Sequence, residues 1–332
     1  MSFFLAVDGG QTATRVVLAD EGGRILSQAT GGPSNHTEEP GGPERLEQVI
    51  RDTVNNALLD SGRASIDEQE FAAACFGMTG ETAIKQRILA RLIKTPHLSV
   101  VHDSVNALMG ATAGKPGLIV IAGTGSVARG MDSQGRQLRV GGWGHLFGDE
   151  GSAYWIGREA IRAVASELDG FGKPTRLTHL LLTQLAVPSA YVLMERYYSG
   201  QWSRDHMASL AVWVSKAASD GDRVAQGILS DAGQRLANFA ITVISVLFAS
   251  GNNSAGQAGS ANAPLVSHVG GVFENPFVLA EFKEAVRRGY PNVRIEPPFL
   301  PPVLGSLLVA YQSVGVGLSD EICRGWANLR PV

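Results

Sequence analysis

The chain has 332 residues, of which 44% are apolar and 18% are charged, and it carries 40 glycines and a net charge of −3. This length is typical of about two domains, and the apolar content excludes a disordered protein. The weak acidic charge argues against a nucleic acid or an anionic membrane surface as the main partner.

The cysteines and the apolar stretches narrow the class of protein further. Cys75 and Cys323 lie far apart and form no Cys-x-x-Cys pair, which excludes a zinc ribbon or an iron–sulfur framework within one chain. The N-terminal residues lack a basic segment and reach an acid at Asp8, which predicts a cytoplasmic protein without a signal peptide. The apolar stretch Leu236–Ala249 is too short to span a bilayer and predicts a buried helix, and residues 250–263 predict a flexible loop.

Two segments share one order of elements: three β-strands joined by glycine-rich turns. The first is Phe4–Leu26 and the second is Gly117–Val140, and each contains an Asp-x-(x)-Gly-Arg turn, at Asp20–Arg24 and Asp132–Arg136. This repetition predicts two similar domains that each open with a β-meander.

Helices and further strands follow each meander. Apolar spacing predicts helices at Glu44–Ser61, Ser104–Ala113, Ser152–Leu168, Pro188–Tyr198, Met207–Ser219, Asp222–Leu247 and Val303–Val316. Short apolar runs predict strands at Phe71–Met78, Leu98–Val101 and Pro264–Val269. We place the domains at residues 1–115 and 116–302, with the C-terminal helix, about 303–332, packing back on the first.

Glycine-rich turns carry the first functional signal. The chain lacks a Gly-x-x-x-x-Gly-Lys-[Ser/Thr] P-loop. Gly123–Ala128 matches the dinucleotide fingerprint Gly-x-Gly-x-x-Ala, but the turn-like Arg129–Gly135 that follows favours a hairpin over the helix that this fingerprint needs. The turns at Gly9–Thr14 and Gly123–Ser126 are expected to offer bare backbone N–H groups that bind phosphate, and their matching positions favour a nucleotide polyphosphate.

Carboxylates stand at the ends of two predicted strands. Asp8 beside the first turn is either a turn cap or a Mg²⁺ ligand that acts through the ion's retained waters. Asp103 is either the N-cap of the following helix or a general base beside a substrate hydroxyl. We expect His102 to be structural.

The segment Gly141–Gly157 is rich in glycine, acids and tryptophan. Asp149, Glu150 and Ser152 are either caps of the following helix or part of a polar loop whose carboxylates accept hydrogen bonds from sugar hydroxyls. Trp155 is either core or an aromatic surface for a sugar ring.

These motifs together resemble the BadF/BadG/BcrA/BcrD ATPase family, and most closely its eukaryotic-type N-acetylglucosamine kinases. The resemblance is carried by Asp8–Thr12, Gly32–His36, His102–Asp103, Ile121–Ser126 and above all Gly141–Trp155. It implies an α/β fold of two RNase-H-like, actin-like ATPase domains with a nucleotide cleft between them. Asp8 and Gln11 stand where the animal enzymes have Glu and Gly, and Thr79 stands where they have Ser.

The resemblance assigns a role to each matching position. It makes Asp103 the general base and Asp8 the Mg²⁺ ligand. The ATP-binding positions that it implies are Gly9, Gly10, Thr12, Gly123, Thr124, Gly125, Ser126, Gly270, Gly271 and Asn275. The sugar-binding positions that it implies are Asn35, Thr79, Asp103, Gly125, Trp143, Gly144 and Asp149.

The implied activity is transfer of phosphate from MgATP to the 6-hydroxyl of N-acetylglucosamine. Glucosamine, N-acetylmuramic acid and glucose remain open as substrates, since one neutral residue, Asn35, decides little between them. A sugar-independent activator ATPase of the same family is a further alternative. A nucleotide-dependent scaffold protein of actin type would not need a sugar-binding loop, so the Gly141–Trp155 segment argues against it. The hairpin predicted at Gly123–Ser126 argues against an oxidoreductase. The expected partner is a small amino sugar, and a homodimer is compatible with the resemblance.

Overall fold

A computed structural model of the chain describes residues 2–10, 12–34, 37, 39–248 and 264–328. Asn35 and the loop predicted at 250–263 lie outside the described residues. The chain divides into two compact units. Unit 1 comprises Met1–Lys115 and Pro298–Val332, and unit 2 comprises Pro116–Pro297.

Unit 1 opens with the predicted β-meander. Its strands are β1 Phe3–Gly9, β2 Thr14–Asp20, β3 Ile25–Gly31, β4 Ala73–Met78 and β5 Leu98–His102. Its helices are α1 Gly42–Asp60, α2 Thr82–Leu92, α3 Asp103–Thr112, α11 Pro302–Ser313 and α12 Asp320–Ala327. The strands form one sheet in the order β3-β2-β1-β4-β5. The meander strands β1, β2 and β3 are antiparallel, whereas β4 runs parallel to both β1 and β5.

Strand β1 is buried on both faces because it lies in the middle of this sheet. Leu5 and Val7 point to one face and pack in a cluster with Leu46 of α1. Phe4 points to the other face, where its ring stacks on Tyr311 of α11 at 4.1 Å between centroids. Burial of each such side chain stabilises the unit by about 1.5–3 kcal/mol.

Unit 2 repeats this topology strand for strand. Its strands are β6 Gly117–Ala122, β7 Ser126–Met131, β8 Gln137–Gly141, β9 Leu265–Val269 and β10 Arg294–Glu296. Its helices are α4 Ala153–Leu168, α5 Leu177–Gln184, α6 Ala190–Tyr198, α7 Arg204–Ser209, α8 Ala211–Ser219, α9 Arg223–Leu247 and α10 Pro276–Gly289. The sheet order is β10-β9-β6-β7-β8. The meander is again antiparallel, and β9 runs parallel to both β6 and β10.

The β6–β7 pairing settles the reading of Gly123–Ala128. Ala122 pairs with Ser126 in antiparallel register, so the glycines form a hairpin turn. The hairpin prediction is confirmed, and the dinucleotide-fingerprint alternative is excluded.

The predicted helices need two corrections. The single helix predicted at Met207–Ser219 is two helices, α7 and α8, which meet at Leu210. The C-terminal helix placed at about 303–332 is also two helices, α11 and α12. The sequence interpretation omitted α2, α5, α10 and the short strand β10. Among the described residues, no helix combines the length and the apolar character that crossing a membrane requires.

Candidate active site

The carboxyl ends of β4 and β5 bring Thr79 and Asp103 together in unit 1. Met78 is in register with His102 on parallel strands, so the residues that follow them emerge at one edge of the sheet. The hydroxyl of Thr79 donates to Oδ2 of Asp103 at 2.9 Å, and Nδ1 of His102 lies 2.7 Å from Oδ1. The Asp103 side chain keeps 35% of its surface exposed, so a ligand can reach it.

The N-cap of α3 is His102, not Asp103. His102 holds the N-cap position with its Nδ1 3.3 Å from the backbone nitrogen of Ser104, and Asp103 is the first residue of the helix. The alternative in which Asp103 acts as the cap is therefore wrong. His102 does have the expected structural role, and it also contacts the carboxylate of Asp103.

Opposing effects set the pKa of Asp103. Burial alone would raise this pKa, but hydrogen bonds from His102 and Thr79, the charge of His102 and the backbone N–H of Ser104 outweigh it. The pKa therefore lies below the ordinary value of 3.8. Asp103 is ionised at neutral pH and is able to accept a proton.

Asp8 ends β1 at the same edge of the sheet as Asp103. Its register partner on the parallel strand β4 is Gly77, and its Oδ1 accepts a hydrogen bond from Nδ2 of Asn106 at 3.0 Å. Burial raises the pKa of Asp8 and the negative charge of Asp103 adds to this, while Asn106 and Arg15 oppose it. A cation bound beside this carboxylate would offset the effect of burial and favour its ionised form.

A single carboxylate beside a glycine-rich turn is compatible with Mg²⁺. In the part of the chain that the structure describes, no cluster of three or more His, Cys, Asp or Glu side chains could hold a metal ion. Mg²⁺ usually keeps several waters and is bound through one or two carboxylates together with substrate phosphates. Asp8 meets this requirement.

The two glycine-rich turns are more internally bonded than expected. The backbone N–H of Gly10 donates to Ala13 O at 3.0 Å, and that of Gly123 donates to Gly125 O at 2.9 Å. The expectation of bare amides is therefore wrong for Gly10 and Gly123. Gly9 is buried at the end of β1, and Thr12 is exposed at the tip of the first turn.

Ser126 supports the second turn from within. Its backbone N–H donates to Oδ1 of Asp149 at 3.1 Å, and its hydroxyl donates to Glu150 O at 2.7 Å. In this structure Ser126 therefore holds the turn to the loop that contains Asp149. The remaining members of the turn, Thr124 and Gly125, are partly exposed.

A cavity of about 480 Å³ in unit 2 gathers several of the predicted nucleotide positions. Gly123, Thr124, Gly271 and Asn275 line it, together with Ser215 from α8. Its volume lies within the range of small-molecule pockets. The cavity can therefore accept a ligand of nucleotide size.

Gly270 directly precedes Gly271, which lines this cavity, and Asn275 lines it as well. Gly270 has a φ of 110° and lies against the backbone of Ala122, where a side chain would collide. Asn275 caps α10, since its Oδ1 accepts from Phe277 N at 3.0 Å. Its Nδ2 donates to the hydroxyl of Ser215 at 2.9 Å.

The segment 141–151 presents one buried carboxylate and several exposed apolar side chains. Asp149 is 2% exposed and has a φ of 56°, which is rare outside glycine. Trp143 is 67% exposed, and the guanidinium of Arg139 lies 5.4 Å from its ring centroid. Gly144, which follows Trp143, has a φ of 77°.

The cap of α4 is Ser152. Its hydroxyl accepts from Trp155 N at 3.2 Å, so the alternative in which Asp149 or Glu150 caps this helix is wrong. Glu150 pairs instead with Arg235. Trp155 is 3% exposed and belongs to the core.

Three polar residues at the site were missed by the sequence interpretation. Arg204 pairs with Asp149, Lys85 donates to the carbonyl of Thr79, and Asn106 donates to Asp8. No local sequence signal marks them, because each partner is distant in the sequence or, for Lys85, the residue sits inside an ordinary amphipathic helix.

The comparisons with known proteins agree with one another. The model of the BadF/BadG/BcrA/BcrD ATPase family matches residues 5–310. An N-acetylmuramic acid/N-acetylglucosamine kinase of Clostridium acetobutylicum is 29% identical over 316 residues, which cover 93% of this chain and 98% of the relative. An N-acetyl-D-glucosamine kinase of Dictyostelium discoideum is 29% identical over 327 residues, with the same coverage of 93% and 98%.

A solved structure supports the fold. It is that of a provisionally named N-acetylglucosamine kinase from Chromobacterium violaceum, with a TM-score of 0.71 and 25% identity over 93% of this chain and 99% of that one. Together with the strand order in each unit, this similarity confirms the predicted α/β fold with two RNase-H-like units.

Proposed function

Because the chain belongs to the BadF/BadG/BcrA/BcrD ATPase family, we propose that it is an ATP-dependent amino-sugar kinase. The observation that carries this proposal is the ionised carboxylate of Asp103, held by Thr79 and His102 at a sheet edge where a ligand can reach it. The cavity of unit 2 that Gly123, Thr124, Gly271 and Asn275 line is the nucleotide site in this proposal.

The proposed substrate is N-acetylglucosamine, phosphorylated on its 6-hydroxyl. Both curated relatives described above carry N-acetylglucosamine in their names, and one also carries N-acetylmuramic acid. Asn35, Thr79, Gly125, Trp143, Gly144 and Asp149 are the proposed sugar-binding positions, with Asp103 at the reacting hydroxyl. Glucosamine and N-acetylmuramic acid are the alternatives that the test below separates.

Asp103 acts as the general base in the proposed mechanism. Its carboxylate accepts the proton of the 6-hydroxyl as the new oxygen–phosphorus bond forms. The lowered pKa suits a loose transition state, in which the proton leaves late and a strong base is not needed. Positioning of the two substrates and stabilisation of charge supply most of the rate.

The remaining residues hold the nucleotide. Gly9, Gly10 and Thr12 in unit 1 and Gly123, Thr124, Gly125 and Ser126 in unit 2 are the proposed phosphate positions, and Gly270, Gly271 and Asn275 are the proposed adenosine positions. Since the amide of Gly10 and both donors of Ser126 are engaged within the protein, these residues shape their turns. Asp8 would hold Mg²⁺, which supplies charge neutralisation at the phosphates.

The experiment is ADP release from MgATP by the purified protein. It compares N-acetylglucosamine, glucosamine, N-acetylmuramic acid, N-acetylmannosamine, glucose and no sugar. Turnover with N-acetylglucosamine that exceeds all others supports the proposal. Turnover with another amino sugar instead would support the kinase activity but assign a different substrate. ADP release that does not depend on sugar contradicts the kinase and supports an activator ATPase.

A further inference from the structure

The buried carboxylate of Asp149 has an unforeseen partner in Arg204. Nη2 of Arg204 donates to Oδ2 of Asp149 at 2.7 Å, while Oδ1 accepts from the backbone N–H of Ser126 at 3.1 Å. Both oxygens are thus held from different sides. Among the described residues, Asp149 is the only acceptor that Arg204 reaches, and the Nε of Arg204 is buried without a partner.

The helix that carries Arg204 is firmly seated. Ser203 and His206 form a reciprocal capping box at the start of α7. Met207 is buried, and its carbonyl lies where a side chain at position 157 would be, so Gly157 lets α7 pack closely on α4. A short helix fixed at its start and along one face holds the backbone of Arg204 in one place.

The ion pair lies directly against the backbone of Gly125. A Cβ atom added to Gly125 would lie 2.7 Å and 2.9 Å from the two carboxylate oxygens of Asp149, and closer still to Nη2 of Arg204. Gly125 belongs to the proposed phosphate turn and to the proposed sugar positions. The pair is therefore part of the site and not a remote surface contact.

We propose that Arg204 is a positioning residue that fixes the carboxylate of Asp149 for the sugar hydroxyls. The inference rests on the proposed function, in which Asp149 binds the sugar. A carboxylate has about four lone-pair sites, and the bonds from Arg204 and Ser126 use two of them. A buried carboxylate without a cation is strongly unfavourable, and the bond from Nη2 of Arg204 holds Oδ2 of Asp149 in place.

The test separates sugar affinity from nucleotide affinity. Arg204→Met, Arg204→Lys, Asp149→Asn and the double variant are compared with the wild type by steady-state kinetics and by calorimetric binding of N-acetylglucosamine without nucleotide. Arg288→Met is the matched control, since Arg288 is 62% exposed on α10 and pairs there only with glutamates.

Arg204→Met removes a charge-assisted hydrogen bond to Asp149. We therefore expect it to raise KM and Kd for N-acetylglucosamine about 10- to 100-fold. KM for ATP stays within about twofold, Arg204→Lys recovers part of the loss, and Arg288→Met behaves as the wild type. In the Asp149→Asn background, Arg204→Met adds less than about threefold, because the contact through which it acts is already gone.

Three outcomes overturn the inference. A raised KM for ATP with unchanged sugar affinity would mean that Arg204 binds the nucleotide instead. Full additivity in the double variant would mean that Arg204 does not act through Asp149. If Arg204→Met does not fold, the double variant, which has no unpaired buried carboxylate, is compared with Asp149→Asn instead. A wild type that neither binds nor phosphorylates any amino sugar overturns the proposed function first, and the inference with it.

Discussion

Gly125→Ala adds one methyl group at a crowded point of the proposed sugar site. The new Cβ would lie within 3 Å of both carboxylate oxygens of Asp149 and of the guanidinium of Arg204. The Arg204 side chain is 34% exposed and is able to move, but Asp149 is short, buried and tied to Ser126. The substitution therefore breaks the ion pair and tilts the carboxylate.

The expected magnitude follows from overpacking. Forcing an extra methyl into a packed site costs about 1–3 kcal/mol, which for a unit of this length lowers Tm by about 3–9 °C. The displaced carboxylate raises KM for the amino sugar about tenfold or more, while KM for ATP changes less.

The assay pairs steady-state kinetics with thermal unfolding. Gly227→Ala is the matched control, since Gly227 is exposed within α9 and an added Cβ there meets nothing within 4 Å. Alanine is the better helix former, so this control keeps or raises Tm. A Gly125→Ala variant with wild-type KM for sugar and wild-type Tm would refute the reasoning.

Three further predictions follow from the site. Asp103→Asn lowers kcat by about 10²- to 10⁴-fold while ATP and sugar still bind by calorimetry; retained turnover would place the base elsewhere. Thr79→Val removes a donor to the ionised form of Asp103, so the pKa of Asp103 rises and the acidic limb of the kcat/KM profile moves to higher pH; an unmoved limb would contradict this. Asn275→Ala removes the cap of α10 and a wall of the cavity, so stability falls by about 1 kcal/mol and KM for ATP rises; an unchanged KM for ATP would place the nucleotide elsewhere.

The β-sheets were the most predictable part of the fold. The meander at Phe4–Leu26 and its counterpart at Gly117–Val140 are confirmed, because buried apolar runs and glycine turns carry their own local signal. The split between α7 and α8 was missed because apolar spacing continues across Leu210. The omitted helix α2 contains Lys85, whose burial depends on a carbonyl that only the folded chain places beside it.

The sequence allowed candidate site residues to be proposed, but it did not predict the hydrogen bonds that they make. Strand ends indicated Asp8 and Asp103, and glycine turns indicated Gly123 and its neighbours. The sequence could not show that the amide of Gly123 is consumed within its own turn, or that Asp149 meets an arginine 55 positions away. Such contacts depend on which loops the fold brings together, and no local pattern encodes them.

The proposed reaction is transfer of phosphate from ATP to an amino-sugar hydroxyl with Asp103 as the base. The most direct measurement is phosphorus NMR of a reaction of the wild type with MgATP and N-acetylglucosamine, run beside Asp103→Asn. We expect ADP and a sugar phosphomonoester in equal amounts, with the phosphorus coupled to the protons on carbon 6, and product from the variant at least about 100-fold slower. Free phosphate without a sugar phosphate, or equal product from Asp103→Asn, would contradict it.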